Sequence, residues 1–468
     1  MNSYYQHVQK AEYSEAESFL NNNSYIQANR NKLLFYLEKG IVLHYQQQYD
    51  SSNQFFNLAD AFLEERRKSA GDVAAGLLLN PMEQLYTGEP FEALMIHYFK
   101  ALNYWYLQMP ENVRVEARRI TLANNLLNDY AGKNERKYSK DAFLTNLEGM
   151  LYEYAGDINN AFISYRNAVD LYLKQKGTYY DVAIPQQLKY DLLRTAYQMG
   201  FNDIAEFYKK EFLILNQTDS LLTANIEKPA KELVLFVETG WAPVKQEQTI
   251  SIQRDGYGNT DFYFINNFGE RVAVPFNQQY YRTIQGASFD AARISLTRIA
   301  LPEYQIVYTY NNPPTVQANG ITIKPALAQN INSLALATLE ERFLKEIANA
   351  IARQVVKKLM EKGVSLAAEA IANSGNDSSS SKKTEEQKKK DKENAEAVGA
   401  VAGLLVGIFN ASTEKADTRN WQSLPAHIFY TRIPLKNGNN EIVIENNGKK
   451  QKIQIEGKEG MQLKTIRF

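Results

Sequence analysis

Two carboxylates flank a proline in "YTGEPFE": Glu89 and Glu92, with Pro90 between them. A carboxylate pair can act as general acid and base if its surroundings push the two pKa values apart. The same residues also suit a helix start. Proline fits the first turn, and acidic groups there favour the helix dipole. That structural role accounts for all three residues. The four histidines, His7, His44, His97 and His427, lie far apart, and none has a second His three or four positions away. His97, in "EALMIHYFKAL" near Glu92, is expected to pack and to hydrogen bond. The chain has no cysteine, which excludes thiol catalysis, disulfides and cysteine metal sites. The GxGxxG, Walker A, GxSxG and HExxH patterns are absent, and "DGYGN" (255–259) reads as a turn. The expectation is a protein that is not an enzyme, with no cofactor and no metal.

Other polar residues fit recognition better than reaction. "VEARR" places Arg118 and Arg119 beside Glu116, as a salt-bridged face or as a basic rim for an acidic partner. In "ADTRNWQSLP", Asp417 and Arg419 are spaced to pair, and Trp421 to cover the join between helix and strand; the other reading is a partner surface. Lys plus Arg equals Asp plus Glu at 53 each, which argues against a dedicated nucleic-acid binder.

Helical elements must position most of these residues. Residues 1 to about 225 contain four prolines (Pro81, Pro90, Pro110, Pro185), and apolar residues recur at helical spacing. "GMLYEYAGDINNAFISYRNAV" has the small and aromatic pattern of a TPR repeat. Gly149 and Ala161 let two helices approach, Tyr152 and Tyr165 fill the gaps, and "AGD" makes the turn. "EKGIVLHYQQQYDSSNQFFNLADAF" offers a second copy through Gly40, Leu43, Tyr49, Ser52, Phe56 and Ala59. "HYFKALNYWYLQMPENVRVEARRI" and "LLRTAYQMGFNDIAEFYKKEF" are more degenerate copies, the latter with Gly200 at the turn and Ala205 at the close contact. The groove of such an array would present Tyr104 and Tyr152 to a protein partner.

The character changes near residue 228. "ELVLFVETGWAP", "QTISIQR", "TDFYFINN", "RVAVPF" and "YQIVYTYNN" are short β-rich runs divided by Gly, Pro and Asn turns. The expected fold class is α+β and multidomain: an N-terminal TPR-like α-solenoid (1–226), then a β-rich domain with an inserted helical hairpin. The first part of the β domain spans 227–332. An amphipathic helix follows (333–373), with Phe343, Ile347, Ile351, Val355 and Leu359 in one apolar stripe and Arg342, Lys345, Arg353 and Lys357 off it. Residues 374–394 hold no apolar residue and are expected to be a disordered charged linker. A glycine-rich helix (395–416) comes next, and strands in 417–468, with turns at "NGNN" and "NNGKK", complete the β domain.

The glycine-rich segment "AVGAVAGLLVGIFN" (397–410) has thirteen apolar residues between polar flanks. A spanning helix needs about 20. Gly399, Gly403 and Gly407 make a flat groove that "SLAAEAIA" (365–372) can enter, so core packing is the expectation. Shallow membrane insertion and self-association through the three glycines are the alternatives.

Four stretches together resemble a family of poorly characterised bacterial envelope lipoproteins: "RNKLLFYLEKGIVLHYQQQYDSSNQFFNLAD" (30–60), "YTGEPFEALMIHYFKALNYWYL" with "VEARR" (86–119), "ELVLFVETGWAPVK" (232–245) and "KADTRNWQSLPAHIFYTRIPL" (415–435). The resemblance spans nearly the whole chain. It implies N-terminal TPR-like repeats, a C-terminal β-rich domain, an outer-membrane lipid anchor facing the periplasm or surface, and a partner such as a lipoprotein resembling the curli secretion channel. No reaction is established for the family. Its precursors begin with a signal peptide and a lipidated Cys, and this sequence contains neither, as a mature or truncated form would. A cytoplasmic protein is the alternative location. The implied function is a non-enzymatic scaffold. The alternatives are a regulator of cell-wall synthesis and an enzyme acting on envelope polymers through Glu89 and Glu92.

Overall fold

The computed structural model describes residues 1–68, 81–131, 138–215, 229–254, 262–265, 271–273, 299–310, 312–343, 346 and 415–468. The chain is mixed α and β, with N-terminal helices and C-terminal strands. The expected linker (374–394), the glycine-rich segment and the stripe beyond Phe343 lie outside the described residues.

Among the described residues, five helix pairs follow one another. They are α1 (Asn2–Gln9) with α2 (Tyr13–Asn22), then, after the short α3 (Ser24–Gln27), α4 (Lys32–Tyr45) with α5 (Tyr49–Lys68). Next come α6 (Pro90–Tyr106) with α7 (Pro110–Ala131), α8 (Ala142–Tyr154) with α9 (Ile158–Lys174), and α10 (Gln186–Gln198) with α11 (Asn202–Leu215). The two members of each pair pack together, and each pair packs on the next. All five pairs share one turn. Its middle residue has positive φ: Ala11, Gln47, Gln108, Gly156 and Gly200. The residue after it donates its N–H to a carbonyl five positions back, as in Asp157 to Tyr152 and Gln48 to Leu43. These bonds satisfy carbonyls that the helix end leaves orphaned. The first pair was not legible as a repeat, because α1 and α2 are short and polar.

Close approach within a pair depends on glycine. A Cβ on Gly149 would overlap the Tyr165 ring, and one on Gly40 would stand 2.7 Å from Phe56 Cε1. Phe56, Ala59, Ala161 and Tyr165 are fully buried.

Strands β1 (Thr178–Tyr179) and β2 (Val182–Ala183) form a small hairpin between α9 and α10. The main sheet has the order β10-β11-β3-β14, from Ala326–Asn330, His427–Pro434, Lys231–Thr239 and Gly460–Arg467. Its β3–β14 contact is parallel and the others are antiparallel. A second sheet, β13-β12-β8-β9, comes from Lys449–Gly457, Gly438–Asn446, Thr315–Ala318 and Ile321–Ile323. A third, β6-β5-β4-β7, uses Arg271–Ala273, Phe262–Ile265, Val244–Arg254 and Ile299–Gln305. The C-terminal meander therefore does not stay in one sheet: β11 and β14 join the main sheet, and the β12–β13 hairpin joins the second. "YQIVYTYNN" is also not a strand throughout. Pairing stops at Gln305, and Tyr308 and Tyr310 turn instead onto the His427 ring, with centroids 5.9 and 4.7 Å away.

The main sheet is buried on both faces, so β3 is apolar along its length rather than alternating. Val234, Phe236 and Tyr430 join the core of the helices, while Leu233, Leu235, Val237, Phe429 and Ile433 join a second core with Val316, Ile442 and Ile444. The result is three layers: helices, main sheet, second sheet. The helices up to Leu215 and the strands from Lys231 share a core, since Tyr98, Phe143, Phe236 and Trp421 belong to one cluster.

Two predictions follow from this packing. Gly149→Ala should lower stability by about 1–3 kcal/mol, because overpacking against Tyr165 outweighs the gain in helix propensity; the urea midpoint checks it. Arg432→Met should cost about 3–5 kcal/mol. Arg432 lies 3.0 Å from Glu153, 3.2 Å from Asp191 and 3.2 Å from Glu232, all buried; its removal leaves Arg194 to serve both Glu153 and Asp191 and takes this cation from Glu232. An unchanged melting transition would contradict this assignment.

Candidate functional site

The carboxylates singled out in the sequence lie in the interior. Glu89 caps α6 in a reciprocal capping box with Glu92. The Glu89 N–H donates to Glu92 Oε2 at 2.8 Å. Lys245 Nζ of β4 reaches Glu89 Oε1 at 2.6 Å, and Arg342, from the helix over 331–343, donates to it at 2.8 Å. Arg342, expected off the apolar stripe, turns inward to this carboxylate. Burial alone would raise Glu89, and these two cations hold it well below the carboxylate range instead. Glu92 goes the other way, raised by burial and then by the charge of Glu89. It accepts the Tyr86 hydroxyl and, at 2.7 Å, the Trp421 N–H. The two pKa values are thus split, as an acid–base pair would be. However, Glu89 is 3% exposed and Glu92 1%, and every oxygen partner named here belongs to the chain. Their arrangement ties the start of α6 to β4 and to the segment before β11.

The other buried acids have the same task. Glu38 of α4 accepts Tyr4 Oη at 2.8 Å, Tyr5 Oη at 3.0 Å and the Ser423 hydroxyl. Burial pushes Glu38 up to about 7. Glu238 of β3 accepts hydroxyls from Tyr45 and Tyr98, each at 2.9 Å. His97 Nδ1 lies 2.6 Å from Glu116 rather than near Glu92, so Glu116 is a buried partner. His44 meets Asn103 at 2.6 Å, and burial lowers both His44 and His427 to about 4. Among the described residues, no group of His, Asp and Glu is placed to hold a metal ion.

The open feature lies on the other side of the helices, where a groove of about 1500 Å³ runs between α7 and α9. Arg118, Thr121, Leu122 and Asn125 form one wall, at the i, i+3, i+4, i+7 spacing of a single helix face. Asn160, Ser164, Asn167, Leu171 and Lys174 form the opposite wall with the same periodicity. Thr145, Glu148 and Tyr152 of α8 are the floor, and Lys140, Tyr179 and Tyr180 close one end. Thr121 donates its hydroxyl to Glu148, which burial raises to about 7.

The seven residues expected to meet a partner separate. Arg118 and Tyr152 come together in the groove, Arg118 on the α7 wall and Tyr152 on the floor. Arg119 is turned away and pairs with Asp60 at 2.9 Å. Tyr104 is half-buried on α6 and does not line the groove. Asp417 and Arg419 pair as spaced, at 2.8 and 2.7 Å. The remaining Arg419 donors go to the carbonyls of Arg30, Pro81 and Gln84 and to Asn31 Oδ1. Trp421 is fully buried against Phe56 and Phe99. Arg419 and Trp421 therefore offer no surface to a partner; they strap the 415–426 segment to the helices. Asn125, Asn167, Lys140 and Lys174 were missed. For Asn167 and Lys174 the signal available was the polar stripe on α9, but polar helix faces are common.

No family model matches the chain, and no curated protein matches it. Among the described residues no helix is long and apolar enough to cross a membrane. Gly399, Gly403 and Gly407, expected in core packing or self-association, lie outside the described residues.

Glu38 makes a pH test. Its folded pKa is raised, so the stability it contributes is full below about 4.5 and is lost as pH rises toward about 7. His44 and His427 have depressed values and oppose this slope below 6.5. The test is therefore differential: relative to the parent, Glu38→Gln should gain stability as pH rises from about 4.5 to about 7. A difference that stays flat with pH, measured by urea unfolding, would show that Glu38 is charged in the folded protein.

Proposed function

We propose that this protein is a non-enzymatic, protein-binding scaffold of the bacterial cell envelope, built on a TPR-like α-solenoid. One observation carries the scaffold reading: the same turn closes five successive helix pairs, which leaves a long helical surface beside a carboxylate pair sealed from solvent. The main sheet covers the inner face of that array. Tyr45, Tyr98, Phe143 and Asp191 of successive pairs meet the main sheet there. The partner therefore engages the outer side of the helices or the second sheet.

The envelope location, the lipid anchor and a channel-like lipoprotein partner rest on the family resemblance of residues 30–60, 86–119, 232–245 and 415–435. The readings as a regulator of cell-wall synthesis or as an enzyme on envelope polymers have no described feature of their own in support.

The test is affinity capture from gently solubilised envelopes with the C-terminally tagged full-length precursor, against an unrelated lipoprotein bait. A lipidated bait that brings a channel-like lipoprotein, absent from the control, is the expected result. An unlipidated bait with no envelope partner would overturn the proposal.

A further inference from the structure

We propose that the outer groove between α7 and α9 is the docking site of an extended acidic peptide. This deepens the scaffold reading and rests on it. The groove of about 1500 Å³ exceeds the roughly 300–1,000 Å³ of small-molecule sites, which favours a polymer. Asn160 to Lys174 spans fourteen helical steps, about 20 Å at 1.5 Å each. An extended chain of about six residues covers that length at 3.3 Å per residue.

The polar groups select peptide backbone. Asn125 and Asn167 stand on opposite walls, and neither carboxamide is hydrogen-bonded among the described residues. Each offers both donor and acceptor, which matches a peptide's alternating C=O and N–H. A bound helix would already have satisfied its backbone and would leave both carboxamides idle. The exposed Leu122, 61% accessible, gives apolar side chains a place to rest.

The charge selects acid. Arg118, Lys140 and Lys174 are the basic groups of the groove, and none has an ion pair among the described residues. Two acids face them. Accepting the Tyr208 and Thr121 hydroxyls does not neutralise Asp170 or Glu148, but the three cations outnumber the two acids, and burial holds Glu148 up at about 7. The groove therefore presents positive potential to an arriving chain, with the strength and salt sensitivity of solvent-facing charges.

The test is selection from a displayed library of random ten-residue peptides on the full-length protein, with the winners resynthesised and titrated by fluorescence polarisation. Winners rich in Asp and Glu are expected, with affinity falling as ionic strength rises. Arg118→Glu with Lys174→Glu should weaken them at least tenfold at an unchanged melting temperature. Asn125→Ala with Asn167→Ala should weaken them about fivefold without changing the salt dependence, which a purely electrostatic contact would not show. Neutral or basic winners, no winners, or affinity that survives the charge reversal would overturn the proposal. If the groove fails in this way while envelope capture succeeds and survives the reversal, the scaffold stands and the groove is not its site. If capture fails and acidic peptides still bind, the groove stands and the envelope reading falls.

Discussion

Arg432 projects from the middle of the main sheet into the last helix pairs, and the architecture turns on what it meets there. Glu153 of α8 and Asp191 of α10 receive it, with Arg194 shared between them and Tyr165 at 2.7 Å. Such a cluster is costly to desolvate and specifies geometry more than it adds stability. A sheet shifted by one residue would swap the face that Arg432 occupies with that of Ile433. The register of β11 on β3, in which Arg432 opposes Val234, is therefore coupled to the positions of α8 and α10.

The same principle recurs along the interface. Glu38, Glu89, Glu92 and Glu238 each receive donors from a distant part of the chain. A repeat array alone is held by neighbour contacts and is free to bend as a spring does. Here a single sheet bridges successive pairs, and the 415–426 strap, through Arg419 and Trp421, ties α5, α6 and the loop before them. The inner face becomes core, which moves any recognition outward to the polar groove.

Much of the helical organisation was legible. Gly149 and Gly40 announced close approach, because only a missing Cβ admits the Tyr165 and Phe56 rings. Gly156 and Gly200 marked turns for the same local reason. Gln47 and Gln108 hold the equivalent positive-φ positions without glycine, so those turns were harder to see. Asp417 and Arg419 paired as their spacing implied. The role of Glu89 was half legible: Pro90 revealed the helix start, but Lys245 and Arg342 come from 156 and 253 residues away.

The sequence by itself determined the succession of helices and strands, the tight contacts within each pair and the lack of catalytic motifs, because these depend on periodicity and near neighbours. Only the tertiary structure decided which face of the helical array is core. Tyr152 and Tyr98 look alike as apolar-faced helical tyrosines. Tyr152 floors the outer groove with 6% of its surface still accessible, while Tyr98 is sealed under Phe236, a residue of a strand more than a hundred positions further along the chain. Long-range packing also decided that Arg419 and Trp421 are a strap and not a surface, since burial is a property of the assembled layers and not of any local pattern.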